Sequence, residues 1–280
     1  MDITRIIQED LELLKHPIAH SITILHNGNP IALVNENEIL PSASMGKTLL
    51  LLELAEQFAA GTVKPNRKVE ILSSDRVGDS GLLQHLSPRH LTYNDLATLI
   101  ATVSDNTATN TLIRTLGLET IQQRAHHLGL QHTNILDIIR DHRDPDIHAY
   151  APSQATSLEY AHLIQRIHDV YGHLSINPGA AYRTKQWLAH NTDLSMVASA
   201  LHLDPLSHHQ KDNKHVTFFN KTGTDYGIRC DAGNITYPNG DNYTYSVFLG
   251  WEEETPVNLE NIYLLLYNLG KLITIHNSGQ

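Results

Sequence analysis

The segments with a strand pattern lie near the two ends of this 280-residue chain, and this placement limits its fold more than any other feature. Near the start, "SITILHNGNPIALVNENEI" alternates apolar and polar residues around Asn27-Gly28, a strong hairpin signal. Near the end, "HVTFFNKTG", "YGIRCDAGNITYP" and "YTYSVFLGW" have strand character, with a second turn at Asn239-Gly240. The chain therefore predicts a sheet built from both of its ends.

The middle of the chain is predicted to be helical. Ser44 can cap a helix that runs through "KTLLLLELAEQFAA" to Gly61, a residue type that suits a helix end. Thr92 and Asp95 resemble a capping box for "YNDLATLIATV", and the helix in "NTATNTLIRTLG" should end at Gly117. A last helical pattern lies in "NLENIYLLLYNLGKLITIH".

These patterns together predict an α/β (α+β) fold. Residues 1–43 and 205–280 should form a discontinuous domain, an antiparallel sheet with flanking terminal helices. Residues 44–204 should form an inserted all-α domain. A cleft between the two domains is where we expect the functional residues to meet.

Composition excludes several classes of function. The formal net charge of -10 argues against nucleic acid or an anionic membrane surface as the main partner. No apolar stretch is long enough to span a bilayer, and the start of the chain, "MDITRIIQEDLELLKHPIAH", lacks the pattern of a secretory signal. We expect a monomer that binds a small molecule. Its location would be cytoplasmic as the chain stands, or secreted or periplasmic if a precursor was trimmed.

Nothing in the sequence requires a metal or a cofactor. The single cysteine, Cys230, allows neither an internal disulfide nor a cysteine metal site, and as a strand residue it suggests a small buried hydrophobe. The chain has 19 histidines, and two clusters of them, at His142 to His148 and at His208, His209 and His215, lie in polar stretches without helical ligand spacing. We therefore expect surface histidines and no metal site.

The stretch "PSASMGKT" brings a serine and a lysine to the start of a strongly apolar helix. Ser44 and Lys47 are three residues apart and so lie on one helix face. A lysine at the start of a buried helix is desolvated, which lowers its pKa and allows it to act as a base toward a serine hydroxyl. By itself, this spacing favours a capped helix with a solvated lysine.

Two further motifs follow in the same order as in a known family. "TVSDNTATN" places Ser104-Asp105-Asn106 between two predicted helices, and "FFNKTGTDYG" places Lys221-Thr222-Gly223 on a predicted strand. The set SxxK, SDN and KTG is typical of class A β-lactamases and penicillin-binding proteins. The sequence resembles this family through "SGLLQHL", "LTYNDLATLIATVSDNTATNTLI" and "KTGTDYGIRCDAG", over most of its length.

The resemblance implies a role for each matching residue. Ser44 would be the acylated nucleophile, Lys47 its proton partner, and Ser104 a relay to the leaving nitrogen of a β-lactam. Asn106 would contact the amide of the substrate side chain. The substrate carboxylate would be bound by the group Lys221, Thr222, Gly223, Thr224 and Arg229. The backbone N–H groups of Ser44 and Thr224 would form an oxyanion hole.

The sequence departs from the family where the acyl-enzyme is hydrolysed. The family motif Glu-Pro-x-Leu-Asn has its nearest match at Asp144-Pro145-Asp146-Ile147-His148, which makes Asp144 the candidate base, one methylene shorter than Glu. An alignment without gaps instead places Ile139 or Arg140 at that position, and neither can act as a base. The segment also fits an exposed turn.

The leading interpretation is a serine hydrolase that opens β-lactams through an acyl-enzyme on Ser44. A D-alanyl-D-alanine peptidase or an esterase could use the same serine. The missing Glu favours a third interpretation, a β-lactam-binding sensor that is acylated without efficient release. A scaffold without chemistry is disfavoured, because buried lysines are costly to keep for packing alone.

Overall fold

The computed structural model describes residues 2–172, 175–207, 215–252 and 254–279. The α-helices are α1 Ile3–Glu12, α2 Lys47–Ala59, α3 Tyr93–Val103, α4 Asn106–Leu116, α5 Leu118–His127, α6 Ser157–His168, α7 Pro178–Leu188 and α8 Leu259–Ser278. The strands are β1 Ala19–His26, β2 Asn29–Val34, β3 Leu40–Pro41, β4 Lys68–Glu70, β5 His90–Thr92, β6 Asn134–Ile135, β7 Ser153–Ala155, β8 Thr217–Asp225, β9 Ile228–Thr236 and β10 Asn242–Gly250. Short 3-10 helices cover Ala43–Gly46, Ser73–Asp75 and Val197–Leu201.

The main sheet has five antiparallel strands in the order β2-β1-β10-β9-β8, which confirms a sheet formed from both ends of the chain. Asn27 and Gly28 join β1 to β2 with φ angles of 49° and 79°, as the predicted hairpin requires. The turn at Gly240, with φ 95°, connects β9 to β10. Strand β8, which carries the KTG residues, forms an edge of this sheet.

The two faces of the sheet belong to different apolar cores. Phe218 packs with α1 and α8 on one face, whereas Phe219 packs with the helical region on the other, because successive strand residues point to opposite faces. The segment from Leu194 to Ala198 packs in the core with α1 and α8, although it precedes residue 205, the predicted start of that part of the domain. The helical region also contains the short strand sets β4-β5 and β3-β7-β6. The two-domain boundaries stay a prediction.

Helix α2 lies inside the helical region. Its four leucines, Leu49 to Leu52, are fully buried because α7, α5 and α4 pack around it. Gly61 follows the helix with φ 74°, as predicted. Ser44 does not cap α2, contrary to the prediction: it lies in the preceding 3-10 turn, and Gly46 occupies the N-cap.

The helices that flank the SDN motif are confirmed. Thr92 and Asp95 exchange both hydrogen bonds of a capping box at the start of α3. The Asp105 carboxylate accepts a hydrogen bond from the N–H of Ala108 and caps α4, which ends before Gly117. Ser104 therefore lies in the connection between two helices, in a left-handed conformation with φ 54°.

Candidate active site

Ser44 lies in a turn that several hydrogen bonds hold in place. Ala43, directly before it, has the uncommon φ of 47°, a strained conformation that the surroundings must maintain. Ser153 Oγ donates a hydrogen bond to the Ala43 carbonyl at 2.6 Å, and the Tyr160 hydroxyl donates one to the Met45 carbonyl at 2.8 Å. No motif predicted Ser153 or Tyr160, because they come from β7 and α6 and meet the turn only in the folded chain.

Strand β8 passes very close to the Ser44 turn. A Cβ at Gly223 would lie 2.6 Å from the carbonyl oxygen of Ser42 and 3.3 Å from the backbone nitrogen of Ser44. Only glycine fits this approach, since real Cβ atoms do not come so near a backbone atom. The glycine of the KTG motif therefore brings the edge strand against the serine.

Lys47 is buried at the base of the site, with 1% of its surface exposed. Its Nζ donates hydrogen bonds to the Ser104 carbonyl at 2.6 Å, to Asn106 Oδ1 at 2.7 Å and to Ser104 Oγ at 3.0 Å. The SxxK lysine thus contacts the SDN motif directly. Among the described residues, Ser44 Oγ has no hydrogen-bond partner, and such contacts are often formed only when substrate is bound.

Ser104 connects the two lysines of the site. Its hydroxyl oxygen lies 3.0 Å from Lys47 Nζ and 3.2 Å from Lys221 Nζ. Lys221, fully buried, also donates to the Thr222 carbonyl at 2.6 Å. A hydroxyl can both donate and accept, so this chain of three groups can pass a proton from one amine toward the other.

Burial determines the charge of both amines. Desolvation lowers the pKa of Lys47 well below its usual value, and the nearby charge of Lys221 lowers it further, against the opposing charges of Asp105 and Asp79. Desolvation lowers the pKa of Lys221 to about 8, against the charges of Asp193 and Asp231. Both amines therefore lose a proton more readily than an exposed lysine does.

The loop of residues 78–83 is fixed against the SDN turn. Asn106 donates from its backbone N–H to the Ser80 carbonyl and from Nδ2 to the Gly78 carbonyl, both at 3.0 Å. The N–H groups of Leu82 and Leu83 donate to Asp105 Oδ2 at 2.7 and 2.8 Å. Asn106 therefore has two structural contacts besides its bond to Lys47.

A buried polar network lies behind Lys221. Asp231, which the sequence analysis did not single out, accepts hydrogen bonds from Asn220 Nδ2 at 3.0 Å, the Tyr245 hydroxyl at 3.1 Å and the N–H of Val197 at 3.1 Å. Asn191 Nδ2 donates to Asn220 Oδ1 at 2.8 Å. Burial raises the pKa of Asp231 to about 7, because it outweighs these hydrogen bonds.

These elements enclose a cleft of about 400 Å³, lined by Ser44, Asp79, Ser80, Thr102, Val103, Ser104, Asn191, Thr192, Asp193, Thr222 and Thr224. Of the predicted carboxylate-binding residues, Thr222 and Thr224 line it directly, and Lys221 lies behind Ser104. Arg229 is not in this lining, and its role in binding the carboxylate stays a prediction. Its Nε donates to the Tyr263 hydroxyl at 3.2 Å and its guanidinium lies over Trp251, because its side chain points to the α8 face.

Asp144 is not among the residues that line the cleft, and its role as the base stays a prediction. It lies in an exposed turn, where its carboxylate accepts a hydrogen bond from the N–H of Asp146 and its own N–H donates to His148 Nδ1. The chain instead meets α4 at Ile139, whose N–H and carbonyl bond the amide of Asn110, both at 2.9 Å.

This anchoring agrees with the gapless alignment. Asn110 is one helical turn after Asn106 on the same face of α4, so Ile139 lies next to the SDN residues along that helix. Arg140, the next residue, is paired with Asp137 at 2.8 Å. The position expected to hold a water-activating Glu is thus occupied by an apolar residue followed by an arginine.

Other predicted features concern the rest of the molecule. Cys230 is fully buried and burial raises the pKa of its thiol, as expected for a small hydrophobe. No group of three or more His, Cys, Asp or Glu side chains in the described ranges could hold a metal ion. His208 and His209 lie outside those ranges. Within them, no helix has the length and apolarity to cross a membrane.

The comparisons with known proteins agree with this geometry. A model of the Beta-lactamase enzyme family matches residues 3–274. The chain therefore belongs to this family. Beta-lactamase PSE-4 and Beta-lactamase CARB-3 of Pseudomonas aeruginosa are each 32% identical to it over 83 residues. Each of these matches covers 30% of this chain and 29% of the relative's length.

Solved structures show the same fold over nearly the whole chain. The structure of PBP-A superposes with a TM-score of 0.81 at 20% identity, covering 99% of this chain and 97% of that one. A β-lactamase from Sphaerobacter thermophilus gives a TM-score of 0.80 at 20% identity and 95% coverage of both chains. A PBP-A L158E mutant, solved as an acyl-enzyme complex with penicillin G, gives 0.79 at 20% identity, with 99% and 98% coverage. The resemblance inferred from the motifs and the predicted fold class are confirmed.

Proposed function

We propose that the chain is a serine hydrolase that opens β-lactams by acylation of Ser44 and releases the product slowly. The observation that carries this proposal is the continuous contact from Lys47 through Ser104 to Lys221 beside the Ser44 turn. Family membership and the penicillin acyl-enzyme formed by a mutant of the structural neighbour PBP-A support it.

In the acylation step, Ser44 Oγ attacks the lactam carbonyl and forms a new C–O bond. Lys47, in the uncharged form that burial favours, takes up the hydroxyl proton. The backbone N–H groups of Ser44 and Thr224 stabilise the oxyanion. The C–N bond then breaks, and the Ser104 hydroxyl delivers its proton to the leaving nitrogen while it takes up the proton held by Lys47. The substrate carboxylate is bound by Lys221, Thr222 and Thr224.

Slow release follows from the type of residue at the position expected for the water-activating base. Hydrolysis of the acyl-enzyme needs a base to activate water, and Ile139 stands where that base is expected. The same observation favours a second candidate function, a penicillin-binding protein that acts on D-alanyl-D-alanine peptides or serves as a β-lactam sensor. The two functions share acylation and differ in release.

The test is intact-protein mass spectrometry during reaction with a chromogenic cephalosporin. We expect an adduct on Ser44 that persists while absorbance rises slowly after an initial burst. The Ser44→Ala variant should form no adduct. A burst without further colour would favour the sensor, and adduct formation by Ser44→Ala would contradict the assignment of the nucleophile.

A further inference from the structure

One carboxylate at the rim of the cleft makes no hydrogen bond to the acylation residues, although its charge opposes the lowering of the Lys47 pKa. Asp79 lines the same cleft as Ser44, is exposed, and makes no hydrogen bond or ion pair with another described side chain. The other acidic residue in the lining is Asp193. Its Oδ1 already accepts two hydrogen bonds from Ser195, one from Oγ at 2.7 Å and one from the backbone N–H at 3.2 Å. Asp79 is therefore the carboxylate that remains available to a ligand.

The position of Asp79 is rigidly defined. Its neighbours Gly78 and Ser80 are bonded through their carbonyls to Asn106, and the Gly78 N–H donates to Asp141 Oδ1 at 3.1 Å. Asp79 itself has φ 73°, a conformation uncommon for a residue with a side chain. Gly81 approaches Asp105 so closely that a Cβ on Gly81 would lie 2.4 Å from the Cα of Asp105. Such fixed geometry favours a defined contact with substrate over loose attraction.

The charges of the cleft indicate what this contact would be. Lys47 and Lys221 are buried behind Ser104, whereas Asp79 lies at the rim, on the side where the 78–83 loop meets Asn106. In the proposed function, the substrate carboxylate lies toward Lys221 and its side-chain amide toward Asn106. A cation carried by the acyl side chain would then lie near Asp79.

We infer that Asp79 is a specificity-determining residue, which selects substrates whose acyl side chain carries an ammonium group. The inference rests on the proposed function and adds to it a substrate class, acyl compounds with a carboxylate at one end and an ammonium group at the other. An exposed ion pair of this kind changes rates modestly, roughly two- to fivefold.

The test compares three penicillins that differ only at the side-chain α-carbon, which carries hydrogen, an amino group or a carboxylate. The second-order rate constant for acylation of Ser44 is measured for each by mass spectrometry at pH 6, where an α-amino group is protonated. Asp79→Asn removes the charge and keeps the backbone, since Asn readily adopts positive φ. Asp146→Asn, an exposed change outside the cleft lining, is the control.

We expect Asp79→Asn to lower the ratio of amino to unsubstituted penicillin two- to fivefold and to raise the ratio of carboxylate to unsubstituted penicillin. High salt should reduce the preference of the unmodified protein, because it screens exposed charges. Asp146→Asn should leave both ratios unchanged. Adducts on Ser44 with ratios that do not respond to Asp79→Asn would overturn this inference alone. Absence of every adduct would overturn the proposed function with it.

Discussion

Asp231 should make the stability of this protein depend on pH in a way that one isosteric substitution removes. The carboxyl group is fully buried, and burial raises its pKa to about 7, whereas an unfolded chain gives aspartate a value of about 3.9. Between these two values the folded state holds a proton that the unfolded state has lost. The free energy of unfolding contributed by this group therefore falls as pH rises from about 4 to 7.

The size of the effect follows from the two pKa values. At pH 5 the proton bound only in the folded state contributes roughly 3 kcal/mol, and at pH 8 this contribution is nearly zero. Asp231→Asn cannot titrate, so it lacks the contribution at both pH values. It also disturbs one of the hydrogen bonds from Asn220, Tyr245 and Val197, a cost that does not depend on pH.

The assay is urea unfolding of both proteins at pH 5 and pH 8, followed by far-UV circular dichroism. We expect Asp231→Asn to be more destabilising at pH 5 than at pH 8 by roughly 2 to 3 kcal/mol. Tyr245→Phe removes a hydrogen bond to the same carboxylate, keeps the titrating group and serves as the matched control. Equal destabilisation by Asp231→Asn at both pH values would refute the reasoning.

Three further predictions concern the site itself. Because burial lowers the pKa of Lys221 to about 8, the rate constant of acylation by carboxylate-bearing β-lactams should fall as pH rises through 8. Lys221→Gln should abolish this dependence in pH-rate profiles. Gly223→Ala should slow acylation at least about tenfold, since its methyl group would meet the Ser42 carbonyl and a displacement of about 1 Å can cost a hundredfold; a rate within twofold would contradict the close approach. Ile139→Glu should speed release of the acyl group, measured as loss of adduct mass after the free β-lactam is removed, with Ile139→Gln as the uncharged control. Equal release by the two variants would exclude a base at this position.

The sequence by itself determined the fold and named most of the residues that we propose to react. Strand alternation at both ends and helical periodicity between them depend on local side-chain pattern, so the sheet, the capping box at Thr92 and the helix end at Gly117 were predictable. The spacing of Ser44, Lys47, Ser104 and Lys221 placed them at the predicted helix start, turn and strand. Their mutual contacts confirm that Lys47, Ser104 and Lys221 lie together.

Only the tertiary structure decided which other polar residues reach the site. Asp144 resembled the expected base in sequence. The residue that α4 holds by hydrogen bonds is instead Ile139, which is bonded to Asn110, 29 positions earlier in the chain. Arg229 was expected in the cleft, but strand alternation turned it to the α8 face. Asp79 and Asp231 belong to none of the three motifs. Asp231 matters because it is buried among donors from distant segments, and Asp79 because of its backbone conformation and its place at the rim of the cleft; no local pattern encodes either.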